Sequence, residues 1–124
     1  MKKRIEGTLM WCVQKATDWY RERAEESQGK HDFRCRIQGA LLTALYLGFG
    51  ENDEVPLKRL GEAISEQSRV SQSPIGHTPA ILEYDDAWVG ESIDDRLVFG
   101  KLYFASGPEP VALIYQIDCE PEKG

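Results

Sequence analysis

The segment Val111-Ala-Leu-Ile-Tyr-Gln-Ile sets Val111, Leu113, Tyr115 and Ile117 on one side of a strand and Ala112, Ile114 and Gln116 on the other. Both sides are largely apolar, so this strand is expected at the centre of a sheet, covered on its two faces. It needs strand neighbours and a further layer across it. Leu97–Phe104 and Ala80–Tyr84 have the β-branched and aromatic content to be those neighbours. Ala105-Ser-Gly-Pro-Glu-Pro110 reads as the hairpin loop before the last strand, with two prolines limiting further pairing.

The covering layer is read from the first part of the chain. Leu9, Cys12, Ala16, Trp19 and Tyr20 recur at three- and four-residue steps, one apolar stripe of a helix over 8–28 that starts near Thr8. Asp32 is an N-cap candidate for a second helix over 33–47, whose run Gly39-Ala-Leu-Leu-Thr-Ala-Leu-Tyr-Leu is apolar on nearly every side. Pro56 suits the first position of a third helix over 56–70, with Leu57, Leu60 and Ile64 as its seam. The turn-forming residues 71–79 end the helical part. The expectation is a single α+β domain over 1–124. Three N-terminal helices (8–28, 33–47, 56–70) would pack on a small antiparallel sheet (80–84, 97–104, 111–117).

Met1-Lys2-Lys3-Arg4 is basic enough to open a signal peptide, but Leu9 to Val13 is too short for the apolar core of one. No run approaches the ~20 apolar residues of a membrane helix. Cys12, Cys35 and Cys119 are an odd number without a CxxC pair, which fits free thiols in a reducing compartment. These features point to a cytoplasmic protein with no membrane partner.

Charge is distributed unevenly. Residues 1–36 hold nine basic and six acidic side chains, whereas residues 37–124 hold six and fifteen. The stretch 83–122 is the most acidic, with Glu83, Asp85, Asp86, Glu91, Asp94, Asp95, Glu109, Asp118, Glu120 and Glu122 against Arg96 and Lys101. A net charge of −6 disfavours direct, nonspecific nucleic-acid binding and favours steering toward a basic partner. Trp88 lies among these acids, and an aromatic anchor rimmed by charge is the anatomy of a binding hot spot. Trp11 falls off the apolar stripe of the first helix, above Gly7, and marks a self-association surface through which a homodimer would form.

Motifs for catalysis are weak. Gly48-Phe-Gly50-Glu-Asn-Asp53 lacks the third glycine of a dinucleotide fingerprint and follows a helix instead of a strand. Gly90-Glu-Ser92-Ile-Asp94 lacks the second glycine of a nucleophile elbow. His31 and Cys35, four apart at the expected start of the second helix, are the best nucleophile–base pair, with His77 as a loop residue able to approach a cysteine. Asp85-Asp86 and Asp94-Asp95 offer oxygen ligands without a calcium-loop spacing. No catalytic residue, cofactor or metal site is assigned.

The order helix–helix–helix–strand–hairpin over 33–118 resembles that of a winged-helix DNA-binding domain, with 96–118 as the wing. The resemblance implies a transcriptional regulator with a recognition helix at 68–73. Pro74 shortens that helix, and the wing carries more acid than base where phosphate contacts need Lys or Arg. A small thiol- or metal-dependent enzyme is the other alternative. The preferred expectation is an acidic, non-catalytic protein-binding module: an inhibitor, immunity-type or accessory protein. It would dock on a basic protein, such as a nucleic-acid-binding one, through Asp85, Asp86, Trp88, Glu91, Asp94 and Asp95. Mimicry of nucleic acid against a nuclease or defence complex is its narrower form.

Overall fold

The computed structural model of the protein describes residues 2–26, 28, 31–45, 54–70, 75–85, 87 and 89–118. Among these described residues, seven strands form one sheet: β1 (Lys2–Thr8), β2 (His31–Ile37), β3 (Glu54–Pro56), β4 (Pro79–Asp85), β5 (Glu91–Ile93), β6 (Arg96–Phe104) and β7 (Ala112–Asp118). Three helices accompany it, α1 (Leu9–Glu26), α2 (Ala40–Leu45) and α3 (Leu57–Val70), and a short 3-10 turn spans Ile75–His77. The strand order is β1-β4-β6-β7-β2-β3, every described pairing is antiparallel, and β5 pairs with the start of β6. No described helix is long and apolar enough to cross a membrane.

The mixed α+β class is as expected, but the sheet is much larger than the three strands read from the sequence. The segment 33–47 is not a single helix: its first part is β2, and only Ala40–Leu45 is helical among its described residues. The reason is a period of two. Phe33, Cys35 and Ile37 point to the helices while Arg34 and Arg36 point away, and Gly39, at φ +56°, reverses the chain before α2. Residues 2–7, placed in no element beforehand, and Thr8, expected to open the first helix, form β1 by pairing along their whole length with β4, from Lys2 opposite Asp85 to Thr8 opposite Pro79.

Register separates the two faces of the sheet. Ile5, Ala80, Leu82, Leu102, Ala112, Ile114, Cys35 and Val55 share the face that meets the helices. There they pack with Leu9, Cys12, Val13, Ala16 and Tyr20 of α1, Leu41 and Leu45 of α2, and Leu57, Leu60 and Ile64 of α3. Thr8 caps α1, its Oγ1 accepting from the Trp11 amide at 3.1 Å. The aromatic rings of Trp19, Tyr20, Phe33 and Tyr84 close one end of this core with centroid spacings of 4.4–4.7 Å.

The other face carries Ile81, Val98, Leu113 and Tyr115, all buried yet outside the helix-side core. Their neighbours on that face are Arg34, Arg36, Glu83 and Lys101. Long basic side chains cover apolar surface with their stems while their charged ends stay at the rim. Arg36 and Lys101 keep only 19% and 24% of their side-chain surface exposed.

A bulge between Val98 and Gly100 places one extra residue in β6 opposite β7. Val98 faces Tyr115 on the second face, Gly100 faces Ile114 on the helix side, and Phe99 turns into the helix-side core. Ile114→Ala, at a fully buried position of the central strand, should cost about 2–5 kcal/mol. Urea unfolding followed by circular dichroism measures it.

Candidate functional site

The acidic residues singled out from the sequence fall in two places. Asp85 ends β4 opposite Lys2, and its Oδ1 accepts from the Ala87 amide at 2.9 Å, fixing the turn out of the strand. Glu91 begins β5 and pairs with Lys101 Nζ at 2.8 Å. The hydrogen bond and charge of that ammonium hold the Glu91 carboxyl below its ordinary range. Together with Glu83, Lys2 and the exposed Val89, these residues surround a shallow pocket. On the same stretch of sheet, burial and a hydrogen bond to Glu83 push the Tyr103 phenol up to about 12. Asp86 and Trp88 lie outside the described residues.

Asp94 and Asp95 form the turn of the β5–β6 hairpin, closed by Ile93 opposite Arg96. Both have positive φ, 51° and 62°, as the two-residue type I′ turn requires. Asp tolerates this conformation better than most residues, which gives the doublet a structural reason at the hairpin tip. The two carboxylates differ in setting. Asp94 Oδ2 accepts from Arg36 Nη1 at 3.0 Å, and the Asp94 carbonyl accepts from Arg96 Nη1 at 3.3 Å. Asp95 is exposed at the tip of the turn.

Beside this tip lies a groove of about 460 Å³, lined by Glu54, Asp94, Asp95, Arg96, Leu97, Tyr115 and Ile117, with Gln116 between the last two. Arg96 links its walls: the guanidinium is ion-paired with Glu54 of β3 and lies 5.4 Å from the centroid of the Tyr115 ring. Two large apolar side chains stay open to solvent at its edge, Leu97 at 51% and Ile117 at 36%. Tyr115 is 2% exposed, and its hydroxyl has no hydrogen-bond partner among the described residues. Arg36 Nε is likewise buried without an acceptor. A buried, unmatched polar group costs about 1–3 kcal/mol, so the Tyr115 hydroxyl on the groove's lining calls for an explanation.

Sequence reasoning placed Tyr115 and Ile117 on one strand face but gave them no role. It missed Glu54, which lies outside the acidic stretch. It also missed the bases that neutralise part of that stretch, since Arg36 and Lys101 become partners of Asp94 and Glu91 only through the sheet. Trp11, the other residue singled out, is 41% exposed; its ring lies over Gly7, with Lys15 Nζ 5.4 Å from the ring centroid.

The thiol constellation is not assembled. Cys35 and His31 sit on a strand, not at a helix N-terminus, so their Cα atoms are roughly 13 Å apart. Cys35 is fully buried, its Sγ–H directed to the Val55 carbonyl at 3.5 Å, and burial pushes the thiol up to about 12. His77 is exposed in the 3-10 turn. No three His, Cys, Asp or Glu side chains among the described residues converge as metal ligands. The winged-helix analogy loses the helix expected over 33–47, since residues 31–37 are a strand of the same sheet as the supposed wing, and residues 71–73 of its recognition helix lie outside the described residues.

Native protein should therefore leave Cys12 and Cys35 unlabelled by iodoacetamide at pH 8 and expose both on unfolding, read by mass spectrometry. A thiol that keeps its proton only when folded adds stability below its unfolded pKa of about 8.5. That contribution is lost as pH rises toward the folded value of about 12. Comparison with known proteins gives no match to a family model, a curated protein or a solved structure.

Proposed function

We propose that this protein is a small, non-catalytic binding module that docks a basic segment of a protein partner on the groove beneath the β5–β6 hairpin. An inhibitor, immunity-type or accessory role is the class of activity that fits such a module. The observation that carries the reading is the Tyr115 hydroxyl, buried and without a hydrogen-bond partner among the described residues, on a groove rimmed by Glu54, Asp94 and Asp95. The exposed Leu97 and Ile117 supply apolar contact, and the carboxylates supply the charge that attracts lysine or arginine. An extended backbone crossing the groove presents both donors and acceptors, either of which would satisfy Tyr115 Oη.

This reading moves the centre of the expected patch. Asp94 and Asp95 remain in it, while Asp85 and Glu91 belong to the pocket around Lys101 and contribute longer-range field only. A partner with phosphate-binding grooves, blocked by nucleic-acid mimicry, is the narrower form; it needs the wider row of carboxylates from Glu83 to Asp95 to act as one.

The test separates stability from capture. Tyr115→Phe removes an unmatched hydroxyl and should fold with stability equal to or above that of the parent, by up to about 1–3 kcal/mol. Capture of the partner from host extract, quantified after its identification, should fall at least about tenfold. Asp94→Asn with Asp95→Asn keeps residues suited to the turn and should weaken capture most at low salt. Glu25→Gln and Glu66→Gln on the helices should leave it unchanged. Equal loss in all four variants, or none in Tyr115→Phe, overturns the assignment.

A further inference from the structure

Strand β1 is one edge of the sheet: β4 pairs with its inner side, and no described strand pairs with its outer side. An edge of this length presents outward-pointing N–H and C=O groups that template another strand. We propose that two copies of this chain join edge to edge through β1, antiparallel about a twofold axis at Ile5.

The side chains of Lys2-Lys-Arg-Ile-Glu-Gly-Thr8 select that register from the available ones. A twofold axis normal to the sheet passes through one residue of each strand, so that facing residues share a sheet face. Centred on Lys3, it sets Lys3 against itself and Lys2 against Arg4. Centred on Arg4 or on Glu6, it sets that charged residue against itself. Centred on Ile5, it sets Ile5 against Ile5, each Arg4 against a Glu6, Lys3 against Gly7 and Lys2 against Thr8. Only this last register opposes no like charges and forms two ion pairs, from Arg4 and Glu6 side chains that are well exposed and pair loosely with each other, at 3.9 Å, in the single chain.

The helix-side surface of the junction agrees with it. Trp11 packs so closely on Gly7 that a Cβ there would lie 2.5 Å from the ring, yet 41% of the residue remains exposed. In the Ile5-centred pairing, Lys3 of the second copy arrives opposite Gly7, where its stem covers exposed surface of the Trp11 ring, the ring's cation contact being held by Lys15 of its own chain. Both Trp11 residues and both Ile5 residues are covered by one operation, as an isologous contact requires.

Sedimentation equilibrium over a concentration series tests the pairing, alongside the variants Glu6→Arg and Arg4→Glu. The wild type should show a monomer–dimer equilibrium, and each variant alone should weaken it by about tenfold or more, with circular dichroism confirming that it is folded. An equimolar mixture of the two variants should recover the dimer, since each Arg then meets a Glu. Hydrogen exchange on the wild type gives a second reading that needs no variant: alternate β1 amides should gain protection as concentration rises. A wild type that stays monomeric at its highest soluble concentration overturns the proposal. So does a dimer indifferent to Glu6→Arg, or a variant mixture that stays monomeric.

Discussion

The fold turns on a mismatch between a strand that is apolar on both sides and helices that cover one of them. β7 holds Ile114 and Ala112 against the helices and Leu113 and Tyr115 on the face that no described helix covers. Water is kept from the second pair by basic side chains whose stems lie flat on the sheet and whose ends are held at the rim by acids: Arg36 by Asp94, Arg96 by Glu54, Lys101 by Glu91. Ion pairs of this exposure contribute little energy each. Their effect is geometric, since they keep the covering side chains where apolar surface must be shielded. The groove proposed as a docking site lies where this shielding ends, at the exposed Leu97 and Ile117 beside the covered Tyr115.

That division explains why charge counted along the chain was a poor guide to charge in space. The surplus of acid in 83–122 is real, but antiparallel pairing sets bases from the first third and from β6 beside it. Lys2 faces Asp85, Arg4 faces Glu83, and Arg36 reaches Asp94. Among the described residues the two signs interleave across the sheet, with Asp95 at the hairpin tip and Glu109 in the β6–β7 loop left exposed.

The elements whose pattern was strong were legible: α1 from its three- and four-residue steps, α3 from Pro56 and its apolar seam, and the strands at 79–85, 96–104 and 112–118 to within a residue or two. β1 and β2 were not. β1 carries one aliphatic residue, Ile5, amid charge, and takes its conformation from pairing with β4. In β2 the alternation of Phe33, Cys35 and Ile37 with arginines was overshadowed by the apolar run after Gly39, so two elements were read as one helix. Tyr115 was placed on the correct strand, but that its hydroxyl would lack a partner depends on which side chains converge from β2, β3 and β6, a property of tertiary packing alone.

The bulge at Phe99 sets the phase of the site. Beyond it, odd-numbered residues of β6 face away from the helices; before it, even-numbered ones do. One residue of frame therefore decides that Arg96 is laid over Tyr115 while Phe99 fills the core. An indel in β6 would not act locally: it would exchange the two populations of side chains over the whole hairpin arm, sending a guanidinium toward the hydrocarbon interior and a phenyl ring into water. Sequences that drift within this architecture are free to vary the hairpin tip in composition, but the tally of residues between Arg96 and Gly100 is a constraint as strict as any single identity in the chain.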